Sequence, residues 1–302
     1  MKMIIMGSGT SHGIPVIACK CKVCKSTNPK DKRNRCSAYI FEPVNLVVDT
    51  GPEFRIQALK FGIEKIDAVC ITHAHADHLN GLDDLRIFSH TKAVDPSKKN
   101  VSDTPGHGLP IYTNARAIID TVKRFDYIFK PVKEGGGKPK LDLHDVRVFG
   151  EKNPIYVKNN KSFKIIPIPL LHGTLMDTGW LFLESKDDFK TSKGIAYLTD
   201  CNKIEDSSFD LIARNCTCLE HLVIDALRLE KHSTHFSFEE ALSVAEKICA
   251  KHTWFTHITH NMSDDEINNF IKEKLPSYPG LQEICKNGGT VSTAYDGLLL
   301  ET

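Results

Sequence analysis

Three observations make this chain an α/β sandwich and not a simple doubly wound sheet. With 302 residues, 41% of them hydrophobic and 25% charged, it can bury a sizeable core and has no disordered character. Short β-rich runs outnumber amphipathic stretches along it. Several of those runs also follow one another with no helix between them, which calls for hairpins inside the sheets.

In order, the runs "KMIIMG" (2–7), "AYIFEP" (38–43) and "NLVVDT" (45–50) read as strands, followed by a helix over 53–61. "DAVCITH" (67–73) is a buried strand, residues 78–88 a helix, "LPIYT" (109–113) a strand and 115–125 a helix. Then come strands "FKIIPIPL" (163–170), "WLFLES" (180–185) and "GIAYLTD" (194–200), and a helix over 204–214. "HLVIDA" (221–226) and "TWFTHIT" (253–259) are strands on either side of a helix over 237–251. The last helix, 263–275, is opened by "SDDE", where Ser263 can cap and Glu266 can close a capping box. No fixed-period repeat is visible, so residues 1–302 are expected to form a single domain. Two polar excursions interrupt it, at 89–109 and 130–142, and the first could pack against a second subunit in a homodimer.

A formal charge of +1 gives no electrostatic reason to expect a polyanionic partner. No apolar run approaches the ~20 residues of a membrane span, and the opening "MKMIIMGSGTSHG" breaks at Gly7 before it could serve as a signal. A cytoplasmic protein with no membrane partner is the expectation. Its ten cysteines are then thiols and not disulfides. Cys70, Cys249, Cys216 and Cys218 read as buried small apolar residues.

The segment "ITHAHADHLNGLDDLR" places His73, His75, Asp77 and His78 in six positions at the end of an apolar run. Four ligand-type groups are costly to desolvate together, and a metal site accounts for them better than a solvated loop. Further ligand-type residues end other apolar strands: His172 after "IIPIPLL", Asp200 after "GIAYLT" and His257 after "TWFT". Taken one at a time, each could be a hydrogen-bonded structural residue. Their shared position at strand ends, where a rigid sheet presents chemistry, favours one assembled site. "CKCKVC" supplies Cys19, Cys21 and Cys24, a spacing suited to a tetrahedral structural zinc that lacks one ligand. Redox use of Cys21 and Cys24 is the alternative, without a thioredoxin-like context. His260, three residues after His257, is the candidate fourth ligand. The glycine-rich "GSGTSHG" is not a phosphate loop, because no helix with Lys-Ser/Thr follows; Ser8, Thr10 or His12 in it could touch substrate.

"THAHADH" resembles the H-x-H-x-D-H signature of the metallo-β-lactamase superfamily, and His172, Asp200 and His257 follow in that superfamily's order. The resemblance implies a four-layered αβ/βα sandwich over nearly the whole chain. It also implies one metal on His73, His75 and His172, and a second on Asp77, His78 and His257. Asp200 would bridge the two, and Asp49 would support the ligand shell from outside. The cysteine loop, His260, "GSGTSHGIP", "RNRCSAYI" and "HADHLNGLDDLR" are similar to the PhnP-like branch, phosphodiesterases that open a cyclic phosphate on a phosphorylated ribose.

Two divalent cations ~4 Å apart share a hydroxide and polarise a phosphoryl oxygen. Zn²⁺, Mn²⁺ or Fe²⁺ all suit mixed imidazole and carboxylate donors. His235, 22 residues before His257, resembles the superfamily's non-ligand histidine and is the candidate proton donor, with His232 its rival; Asp77, also a metal-ligand candidate, is counted with it as catalytic. The implied function is hydrolysis of a small, cyclic or linear, nucleotide or ribosyl phosphodiester. A tRNA 3′-processing endonuclease is the first alternative, although "KPVKEGGGKPKLD" is short for the arm such nucleases carry, and nucleic acid is not the favoured partner. A non-catalytic or cofactor-maturation member is the second, disfavoured because all seven ligand positions are kept. Acyl hydrolysis shares the metal core, but gives His235 no task.

Overall fold

Two sheets face each other across a shared apolar layer, and each carries helices on its outer side. The computed structural model describes residues 1–90, 108–130, 138–185, 188–189 and 191–302. The first half contains β1 (Lys2–Gly7), α1 (Lys22–Lys25), β2 (Ser37–Glu42), β3 (Leu46–Val48), α2 (Phe54–Lys60), β4 (Ala68–Cys70), α3 (Ala76–Leu79) and α4 (Arg86–His90). It continues through β5 (Leu109–Thr113), α5 (Ala115–Arg124), α6 (Asp126–Phe129) and β6 (Leu141–Asp145). The second half contains β7 (Phe163–His172), β8 (Leu175–Glu184), β9 (Lys193–Leu198), α7 (Asp206–Asn215), β10 (Cys218–Asp225) and α8 (Phe238–Ile248). After these come β11 (His252–Thr256), α9 (Asp264–Lys274), α10 (Pro279–Lys286), β12 (Thr290–Thr293) and β13 (Leu299–Glu301).

One sheet has the order β13-β1-β2-β3-β4-β5-β6, the other β12-β11-β10-β9-β8-β7. The strand period of two sorts side chains between layers. Leu46, Val48, Ala68 and Cys70 turn to the middle layer, where they meet Ile165, Trp180, Phe182 and Tyr197. Val47 and Val69 turn outward to Phe54, Leu79 and Leu82. In the second sheet Ile166, Ile168, Leu181 and Leu222 turn outward to Phe238, Leu242 and Ile271. Three apolar layers between two sheets and two helical faces make the expected four-layered αβ/βα sandwich. Pairing is parallel along β3-β4-β5-β6 and along β9-β10-β11-β12, with antiparallel hairpins at β1-β2-β3 and β7-β8-β9. The C-terminal ends of β4, β7, β9 and β11 therefore deliver the candidate ligands, as strand ends commonly do in parallel sheets.

The capping box Ser263–Glu266 forms as expected, and a second one, Ser237–Glu240, opens α8. Several details differ from the sequence reading. The single helix over 78–88 is broken into α3, a 3₁₀ turn over Leu82–Leu85, and α4. The Gly81 N–H bonds the Thr50 carbonyl (2.8 Å) and not the helix, and a Cβ there would stand 2.2 Å from the Gly51 oxygen. The excursion over 130–142 ends inside edge strand β6; its residues 131–137, and residues 91–107 of the other excursion, lie outside the described residues, as does most of the surface assigned to a homodimer. Cys249 and Cys218 are exposed, not buried. Cys249 is the left-handed C-cap of α8, and its thiol donates to the Glu246 carbonyl at the surface.

Candidate metal centre

Each strand end of the preceding paragraphs turns a side chain into one polar cluster. The rings of His73, His75 and His172 lie 4.4, 5.4 and 5.1 Å apart pairwise, and each offers a ligand atom within 4.8 Å of the others. Asp77, His78, Asp200 and His257 form an adjoining set under the same criterion, all four buried. Asp200 touches both sets. Its Oδ2 is 3.0 Å from His78 Nε2 and 3.2 Å from His257 Nε2, while its Oδ1 is 4.0 Å from His73 Nε2.

The outward nitrogens of His73, His78 and His172 are already spoken for, whereas His257 Nδ1 has no hydrogen-bond partner among the described residues. Asp49 Oδ2 accepts from His78 Nδ1 (2.7 Å) and from the Thr72 hydroxyl (2.9 Å), which in turn lies 3.0 Å from His73 Nδ1. The Thr234 carbonyl accepts from His172 Nδ1 (2.8 Å). Nδ1 thus carries the proton, and Nε2 faces inward as a lone pair. His73, His78 and His257 each have a buried Nε2 with no hydrogen-bond partner among the described residues. Buried orphans of this kind are rare without an explanation. Convergent imidazole nitrogens around carboxylates form the donor set that divalent zinc, manganese or iron takes.

The electrostatics agree. Burial, then His78, holds the His73 imidazole well below its ordinary range, and burial takes His172 down to about 4, so both stay neutral and ligand-competent. Burial opposes charge on His78 too, but Asp200, Asp77 and Asp49 outweigh it and raise this ring. Burial likewise resists ionisation of Asp200, yet His257 and His78 keep its carboxyl well below the usual range.

Asp49, Asp200 and His257 all adopt left-handed backbone, with φ of 59°, 53° and 61°. Such angles are uncommon outside glycine and recur at functional strand ends.

His235 is buried beside this cluster, its ring 4.6 Å from both His172 and His257. Its Nδ1 donates to Asp225 Oδ2 at 2.9 Å, and Asp225 also accepts from the Phe236 N–H. Burial lowers the His235 pKa. Asp225 is absent from the sequence-derived site, although it ends "HLVID" just as Asp200 ends its own strand. Asp177, wholly buried with Oδ1 3.7 Å from His73 Nδ1, had no such signal because it lies within a hairpin strand. His232 is exposed, its ring 5.3 Å from that of His235. Ser8 is turned away, its hydroxyl donating to Asp296, and Thr10 is buried.

At the opposite edge of His257, the thiols of Cys19, Cys21 and Cys24 lie 3.4, 3.4 and 3.5 Å from His260 Nδ1. A tetrahedral zinc with bonds of about 2.3 Å to sulfur and 2.0–2.1 Å to nitrogen sets those atoms roughly 3.5 Å apart, so the four side chains fit one ion. The Cys24 N–H, and then His260, lower the Cys21 thiol to about 6, whereas burial pushes Cys24 up to about 11.

A family model described as the beta-lactamase superfamily domain matches residues 44–258. The chain belongs to the metallo-β-lactamase superfamily. A crystal structure of a diphosphatase from the PhnP family is 33% identical, with a TM-score of 0.73, covering 100% of this chain and 97% of that one, which places the chain in the PhnP branch. An octanoyltransferase of Porphyromonas gingivalis is 30% identical over 297 residues, 96% of this chain but 52% of that protein, so this chain spans about half its length. Ribonuclease Z of Methanocaldococcus jannaschii is 23% identical over 317 residues, 92% of each chain. Divalent-metal binding goes with this superfamily, and the His/Asp clusters supply the donors. Among the described residues no helix is long and apolar enough to cross a membrane.

Proposed function

We propose that this chain is a metal-dependent hydrolase that cleaves a phosphoryl–oxygen bond in a small phosphodiester or diphosphate, cyclic nucleotides and ribosyl phosphates among them. The observation that carries this reading is the His235–Asp225 pair set against the His/Asp cage, which gives a leaving oxygen a proton donor. In this reading His73, His75 and His172 would hold one divalent ion, zinc, manganese or iron, and Asp77, His78 and His257 a second. Asp200 would serve as a ligand common to both, and Cys19, Cys21, Cys24 and His260 would hold a structural zinc. When bound, such ions polarise a phosphoryl oxygen and bring the pKa of water towards neutrality.

The chain's own residues do the rest. Asp49, Thr72 and the Thr234 carbonyl hold the rings in the tautomer that turns Nε2 inward. Asp225 holds His235 with Nδ1–H outward, so that Nε2, once protonated, faces the departing oxygen and releases the proton to it. Asp225 stabilises the imidazolium during that step. The Cys/His set ties the loop before β2 to the strand end bearing His257, fixing one wall of the site.

A diphosphatase named for the PhnP family supports a small substrate, and its 33% identity outweighs the 23% shared with ribonuclease Z. The test is a panel of linear, 1,2-, 2′,3′- and 3′,5′-cyclic phosphodiesters and nucleoside diphosphates, assayed with Mn²⁺ and Zn²⁺ beside a precursor tRNA. Turnover of one small class above the metal-only blank is expected. Faster cleavage of the tRNA, or none of the small esters, would overturn the reading.

A further inference from the structure

Near the start of β8 stands a carboxylate that the proposed chemistry leaves unused. The side chain of Asp177 is wholly buried. Among the described residues, Oδ1 accepts from the N–H of the next residue, Thr178, at 2.6 Å, and Oδ2 has no hydrogen-bond partner. A buried carboxylate in that state is costly and calls for an explanation. The basic group it faces is His73, whose Nδ1 lies 3.7 Å from Oδ1. That is the outer edge of the ring; Nε2, on the other edge, turns into the cage, 4.0 Å from Asp200 Oδ1. The Thr72 hydroxyl, at 3.0 Å, is the hydrogen-bond acceptor for Nδ1, so Asp177 reaches the ring through its charge.

This spacing is held from both sheets. The Thr178 N–H donates to the Thr72 carbonyl at 3.2 Å. Asn114 Nδ2 donates to the same carbonyl and to the Thr178 hydroxyl, each at 3.2 Å. The start of β8 is thereby laced to the end of β4, and Asp177 stays behind His73 while those bonds persist.

The two halves of the cage differ in charge. Asp77, His78 and His257 include a carboxylate of their own, and Asp49 backs His78 at 2.7 Å. His73, His75 and His172 are three imidazoles, and His172 is backed by an uncharged acceptor, the Thr234 carbonyl. Asp200 is shared between the halves, so Asp177 supplies negative charge that the imidazole trio lacks. Negative charge beyond Nδ1 makes a ring a stronger donor at Nε2. A cation at Nε2 in turn offsets a carboxylate that no Lys or Arg among the described residues neutralises.

We propose that Asp177 is a positioning residue that acts through His73 and tightens the hold of the His73, His75 and His172 trio on its divalent ion. This rests on the two-ion reading above and gives a reason for the carboxylate-poor half of the cage to fill.

The experiment equilibrates the full chain with Zn²⁺ at a series of free concentrations set by a chelator and reads zinc per chain by elemental analysis. Wild-type protein is expected to reach three ions, one on the Cys/His set and two in the cage. In Asp177→Asn one of the three steps moves about 10–100-fold to higher free zinc, while the other two stay in place. Asp177→Ser, which also lacks the charge, shows the same shift. The melting temperature of chelator-treated Asp177→Asn is no lower than that of the wild type, since the charge removed has no partner without the ion. Occupancy curves that superimpose on the wild type would overturn the assignment. So would a shift of all three steps together, or a melting temperature lowered with and without zinc, either of which marks a merely structural carboxylate. Wild-type protein that never exceeds one ion beyond the Cys/His set would instead bring down the two-ion reading, and this assignment with it.

Discussion

The buried pair Arg33–Asp264 offers a perturbation whose size can be worked out in advance. The two side chains are 1% and 2% exposed and meet at 2.8 Å. Arg33 also donates to the Ser8 hydroxyl and the Ala294 carbonyl, and Asp264 also accepts from the Thr293 hydroxyl at 2.6 Å. They tie the stretch that follows the cysteine loop to α9 and β12. Burial lowers the Arg33 pKa even with Asp264 beside it, so water is the partner this cation would prefer. Asp264→Ala removes the carboxylate that Arg33 bonds directly and leaves it only the more weakly acting charges of Asp296 and Asp31, which costs up to about 3–5 kcal/mol. An unfolding entropy of about 2.1 cal/mol/K per residue amounts to roughly 0.6 kcal/mol/K for this chain, so the melting temperature should fall by up to about 5–8 °C. Arg33→Met combined with Asp264→Leu removes both charges and should recover at least half of that loss. Differential scanning calorimetry on metal-loaded protein decides it. A fall of under ~2 °C in the single variant, or a double variant no better than Asp264→Ala, would show that the pair is not the desolvated tie described.

Other outcomes test the site itself. Asp200→Asn should remove hydrolysis by about two orders of magnitude or more and lower the metal content of the cage by elemental analysis, with the circular dichroism spectrum kept. His235→Ala should slow esters with poor leaving groups by ~10²–10⁴ and activated aryl esters much less; an equal loss on both would demote it to a binding role. Cys21→Ser should lower zinc content and melting temperature together. In chelator-stripped protein Cys21 is thiolate above its lowered pKa and thiol below it, so its alkylation rate should rise through a midpoint of about 6. A midpoint near the ordinary thiol value would contradict the hydrogen bonds assigned to it.

The sequence carried the site further than it carried the sheet edges. His73, His75, Asp77 and His78 stand in one turn, and His172, Asp200 and His257 each end an apolar run, so period and position sufficed to find them. Asp225 obeyed the same rule and was passed over because its partner, His235, is brought to it only by the loop after β10. Strands β6, β12 and β13 were missed because each is short and partly exposed, and their pairing partners, not their own residues, define them. The break after α3 was equally hidden, since it depends on Gly81 meeting Thr50 across a gap in the chain.

The left-handed backbone at Asp49, Asp200 and His257 bears on how this centre should be mutated. Asn, Asp and His are the non-glycine residues most at home there, so the side chains that chemistry asks for are also ones the main chain accepts. Alanine scanning would confound two effects at these positions, because a β-carbon in that region costs about 1–2 kcal/mol with no short polar group to offset it. Asparagine for the aspartates, and for His257, isolates the lost donor from the bent chain.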